Sequence, residues 1–168
     1  MNPMRSKIHG HAPAGRQRGV AAIEFAFVFT ALFLVLYGIV TFGAVMYTQK
    51  VVARAAEDGA RAVSYLTTPL VANDPRIKGA VYDALAAALV VPVANSGTTA
   101  SRRTWIESNV TVTITADDPG GTGAVTRAVV AVSYPYSANR LLPSLPLLDT
   151  SLWMPDNLKS QAAAALAS

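Results

Sequence analysis

Cysteine is absent from this 168-residue chain. That excludes disulfides, thiolate metal sites, Cys nucleophiles and lipoprotein-type acylation. Histidine is nearly absent: there are two, His9 and His11, both close to the amino terminus. Past residue 19 the chain has neither residue type. Most metal-dependent and His-based acid–base chemistry therefore has no side chains to work with there. An enzyme built on this chain would need an Asp/Glu or a Ser/Lys site. Charge is also scarce, at 14% of residues, and none lies between Phe25 and Thr48.

What is present begins with that uncharged run. At about 1.5 Å per residue it makes roughly 35 Å of helix, enough to cross a hydrocarbon core of about 30 Å with modest tilt. One charge, Glu24, sits inside its beginning. A carboxylate at a helix centre costs about 2.5–3.5 kcal/mol on insertion scales, and less near an end. The sequence pI of about 9.6 misleads. Arg5, Lys7, Arg16 and Arg18 precede Val20 with no acid among them; the remaining ten Lys and Arg face ten Asp and Glu. This is a positive-inside leader, with the amino terminus cytoplasmic, and not a nucleic-acid footprint.

Residues 1–19 form a polar leader, with Pro3, Gly10, Pro13 and Gly15 discouraging helix. An ordinary signal peptide would have an apolar region of about 7–15 residues followed by a small-x-small site. Here the run is far longer, and Gly43-Ala44 forms no convincing site. An uncleaved signal anchor is the other alternative. The third is a cut after Gly19, where the lack of a side chain suits an extended backbone threaded into a protease.

The arrangement Arg16-Gln17-Arg18-Gly19-Val20-Ala21-Ala22-Ile23-Glu24-Phe25, the long apolar run, and later Ala55-Ala56-Glu57-Asp58-Gly59-Ala60-Arg61-Ala62 together resemble the TadE-like family. Those are type IV pilin-like minor pseudopilins of the tight-adherence (Flp) pilus machinery. The resemblance covers about residues 16–66. One departure is Thr30, where many relatives carry Pro; its absence leaves the helix unbroken there. The resemblance implies cleavage between Gly19 and Val20 by a membrane aspartyl prepilin peptidase. It makes Glu24, with Phe25 beside it, an assembly and registry position, pairing with the first-residue amine of a neighbouring subunit. The bland alternative has Glu24 snorkelling to water at headgroup depth. The implied partners are the prepilin peptidase, the major Flp-type pilin, sibling minor pseudopilins and an inner-membrane assembly platform. The implied location is the bacterial inner membrane, single-pass, with the carboxy-terminal domain periplasmic.

Residues 20–48 are expected to span the membrane and 49–66 to continue the same helix outside it. Val52, Ala55/Ala56, Gly59, Val63 and Leu66 recur at spacings of three and four, an apolar stripe that should face the outer domain. Glu57 and Arg61 are four apart in the favourable order, worth about 0.2–0.5 kcal/mol. Gly59 and Arg61 carry a packing expectation: Gly59 admits a close approach, and Arg61 meets a carboxylate or main-chain carbonyls of the head. The alternative is a solvated Arg beside a tolerated Gly. Within the span Gly38, Gly43, Ala31 and Ala44 are small, without the four-residue spacing of a defined helix-pairing face.

Residues 67–168 make a small outer domain. Thr67-Thr68-Pro69 ends the first helix. Asp74-Pro75 starts a second, reaching about Leu89, with Ile77, Val81, Leu85 and Leu89 on one side. Asn95–Thr99 is expected as loop, Trp105–Thr115 as strand, and Val125–Tyr134 as its hairpin partner. Asp117 and Asp118 lie in the turn between; calcium ligation would need further acids at loop spacing, and a solvated turn needs none. Residues 135–157 combine four prolines with many leucines, suited to covering the sheet, docking on another subunit or lying on the membrane. The Ala-rich tail from Asn157 suggests a weak final helix.

The expectation is an α+β chain: a long amino-terminal helix, half transmembrane and half amphipathic, on a small domain with a second helix and a short antiparallel sheet. Its expected function is structural, without catalysis or cofactors. The rival is an uncleaved bitopic accessory protein that binds an envelope partner through its outer domain.

Overall fold

The computed structural model describes residues 15–66, 70–88, 90–117, 127–140 and 154–166. The chain divides into two units, Met1–Val40 and Thr41–Ser168. Helix α1, Gly15–Ser64, runs through the boundary without a break. At Thr30 the hydroxyl donates to the Ala26 carbonyl at 2.7 Å. The helical ladder is kept at the position where a proline would remove a donor.

The first unit contributes only helix to the described structure. The most apolar 18-residue window of α1 has a mean hydropathy of 2.4 and is 6% buried. Its large apolar side chains, Ile23, Phe27 and Leu32 among them, are exposed. Phe25, Phe29, Phe33 and Tyr37 stack in succession, with ring centroids 5.9, 6.5 and 6.3 Å apart. Spacing by four makes them one ridge along the helix.

The second unit is a layer of helices on a three-stranded antiparallel sheet ordered β1-β2-β3. Helices α2 (Pro75–Ala87) and α3 (Thr99–Asn109) precede β1 (Thr111–Asp117), β2 (Arg127–Pro135) and β3 (Asn157–Ala165). Val112 pairs with Val132 and Ile114 with Val130 across β1 and β2. Val130 in turn pairs with Ala162, and Tyr134 with Leu158, across β2 and β3. Alternation puts Ala128, Val130, Val132 and Tyr134 on the buried face. They meet Ile77, Val81 and Leu85 of α2 and Ile106 of α3 in the core. Full burial of each such aliphatic side chain is worth about 1.5–3 kcal/mol.

Two expectations are corrected. Trp105–Asn109 is helix, not strand. Thr98 and Ser101 cap α3 reciprocally, side chain to backbone in both directions. This boxed start outweighs the β-leaning Trp105-Ile106 pair. The Ala-rich tail is strand β3, not helix. Alanine's helix preference amounts to tenths of a kcal/mol per residue; a nine-residue ladder on the open side of β2 outweighs it. The turn holding Asp118 and the stretch 141–153 lie outside the described residues.

Helix α2 starts as its sequence indicates. Asp74, 2% exposed, accepts from the Arg76 amide at 2.9 Å and from its guanidinium at 2.8 and 3.1 Å. These hydrogen bonds hold the Asp74 carboxyl below its ordinary pKa, against the opposing effect of burial. Stability from this cap is therefore complete above the unfolded carboxylate range and fades as pH falls through the folded value. Asp74→Ala should cost about 1 kcal/mol in urea unfolding at neutral pH. The difference from the unaltered chain should shrink below about pH 4.

The other end of α2 is held from α3: Arg102 donates to the Ala86 carbonyl at 2.7 Å and to the Ser96 carbonyl at 2.9 Å. Beneath it, Tyr134 and Asn139 both donate to the Val90 carbonyl. Burial pushes the Tyr134 hydroxyl up to about 12.

Candidate functional site

The residues singled out by the sequence fall in two places on α1. In the first unit, Gly19 and Glu24 are exposed, as are Val20 (58%) and Phe25 (70%). A Cβ built on Gly19 would meet nothing within 4 Å. The chain's own packing thus makes no demand for glycine at this position. Gly38 and Gly43 are equally open. All three differ from Gly59.

In the second unit, one face of α1 is buried from its first residue. Thr41, Val45, Thr48, Val52, Ala55, Ala56, Gly59, Ala60 and Val63 form a stripe at spacings of three and four. Thr48 satisfies its hydroxyl by donating to the Ala44 carbonyl at 3.0 Å. Gly59 lies where α1, α2 and the sheet converge. A Cβ there would stand 2.5 Å from a Val81 methyl and 3.0 Å from a Val130 methyl. Arg61 points elsewhere: its side chain is 73% exposed and stands 3.8 Å from Asp58 on its own helix. The ion pair is thus Asp58–Arg61, with Glu57 exposed beside it. On the same helix Gln49 donates to the Lys159 carbonyl of β3 at 3.0 Å.

Sequence reasoning did not place Thr41, Val45 and Thr48 in the head's core. Their signal was present, since 41, 45, 48 and 52 continue the stripe backwards. The apolar run masked it, because a span and a core face use the same residues.

Among the described residues, no group of three or more His, Asp or Glu is placed to hold a metal.

These features define a class: one amino-terminal helix long and apolar enough to cross a membrane by length and composition, followed by a small α+β head. Residues 19–61 match the family described as TadE-like protein. The family suggests involvement in tight-adherence pilus assembly, and it is a pilus-associated structural family not known for enzymatic activity. No curated protein and no solved structure matches the chain.

Proposed function

We propose that the chain is a pilin-like structural component of a tight-adherence type IV pilus or secretion system, a minor pseudopilin processed after Gly19. The observation that carries this reading is the family match, which begins at residue 19 and ends at residue 61. It takes in Gly19, Glu24, the apolar run and Gly59-Ala60-Arg61 as one unit.

Cleavage would expose an α-amine on Val20, with a reference pKa near 8, so it is largely protonated at neutral pH. Glu24 would pair with such an amine on a neighbouring subunit. Either charge alone is costly in apolar surroundings, and a pair is far less so. The pairing therefore sets the axial register between neighbours. Prepilin peptidase, the major Flp-type pilin, other minor pseudopilins and an inner-membrane platform are the partners this role needs. The head would lie in the periplasm, with single-pass anchoring by residues 20–48.

Intact mass and amino-terminal sequencing of the protein from membranes of its native host test the proposal. A chain beginning at Val20 is expected. A chain beginning at Met1 while the pilus machinery is expressed would overturn processing and leave the uncleaved bitopic accessory protein.

A further inference from the structure

We propose that the head is seated in the outer headgroup layer of the bilayer, with Phe42, Met46 and Tyr47 as its lipid contacts. This rests on the membrane-anchor reading of α1 and adds where the head meets the bilayer. The run Val20–Val40 by itself makes roughly 30 Å of helix, already the thickness of a hydrocarbon core. Yet the residues after it remain uncharged as far as Gln49, with Phe42, Val45 and Met46 among them. Over those two turns the helix has two unlike sides. Thr41, Val45 and Thr48 are buried against the head, while Phe42, Met46 and Tyr47 are 56, 46 and 49% exposed.

A stalk holding the head clear of the membrane would place charged or polar residues on that outward side. Large apolar side chains there suit the boundary between acyl chains and headgroups, where aromatic rings and Tyr concentrate. The side ends in cations: Lys50 and Arg54 are exposed and are the first charges after Glu24. Glu57 and Asp58 come only a turn farther out. Lys159 is exposed too, and its carbonyl accepts from Gln49, the residue before Lys50. Cations at this level complement lipid phosphates.

Because the chain has no cysteine, single nitroxide labels can be attached without background. The full chain carrying Val28→Cys, Phe42→Cys, Met46→Cys or Arg54→Cys is labelled in vesicles of phosphatidylethanolamine and phosphatidylglycerol. Accessibility to oxygen and to a water-soluble nickel chelate is measured by power saturation, with near-ultraviolet circular dichroism reporting that each head is folded. The expected result is nickel access several-fold lower at Phe42 and Met46 than at Arg54, with oxygen access retained. Nickel access at both positions equal to that at Arg54, with Val28 deep in lipid, overturns the seating and leaves the anchor intact. Shielding of both from oxygen and nickel alike overturns lipid as the occupant in favour of protein. Free nickel access at Val28 overturns the anchor itself.

Discussion

A chain carrying Gly19→Val should stay at full length in its host's membranes, with Met1 still at its amino terminus. The expected loss of the product starting at Val20 is complete. A peptidase site that closes on bare backbone at the cut has no room for a side chain, and valine places a branched one there. The structure makes this substitution clean. Nothing lies within 4 Å of the position a Cβ would take, and valine is no worse than glycine inside a helix. Misfolding therefore cannot stand in for lost processing. Normal amounts of the Val20 product from this variant would remove Gly19 from the site. Glu24→Ala separates processing from assembly. It should be cut and inserted normally, because removing a carboxylate makes the helix easier to insert. Its recovery with pilus components in co-purification should fall sharply. Unchanged recovery would reduce Glu24 to a residue snorkelling at the headgroups.

Gly59→Leu should be the most damaging single change in the head. Even a Cβ alone meets Val81 at 2.5 Å and Val130 at 3.0 Å. Val81 is a β-branched residue inside α2, so its methyls have little rotamer freedom to yield. Overpacking of this kind costs about 1–3 kcal/mol, occasionally more. For Gly59→Ala, a helix-propensity gain of about 1 kcal/mol offsets part of that cost. For leucine the gain is similar and the clash is much larger. Thermal unfolding of the full chain in detergent, followed by near-ultraviolet circular dichroism, should show Gly59→Leu lowered by about 5–10 °C. Pairing Gly59→Ala with Val81→Ala should recover more than additivity allows, because the two side chains compete for one space. Strict additivity would argue against the close approach.

The long helix, the second helix and the hairpin were legible because each has contrast in its sequence. Asp74-Pro75 marks a start, and Val112 and Ile114 alternate with threonines. Two elements lacked that contrast. Only Ile106 of α3 is buried, so no apolar period marked it; the Thr98–Ser101 box was the available signal. In β3 the run Ala162–Ala165 has the same side chain on both faces, and only its pairing with β2 determines its form. Of the site residues, Gly59 carried a legible signal, a glycine on the apolar stripe of α1, and a Cβ there would meet Val81 and Val130. Arg61 was less legible, since a helix-surface cation has the same sequence whether it meets a partner or water.

The two outer strands of the sheet are each tied to the chain's own side chains. At β1, Asn73, held in the left-handed region at φ 57, accepts from the Ile114 amide through its side chain and donates its own amide to the Ile114 carbonyl. At β3, Gln49 occupies the Lys159 carbonyl. Open strand edges invite pairing with other chains. Here both flanks of the sheet are partly closed to it. Head-to-head aggregation through strand exchange is thereby disfavoured.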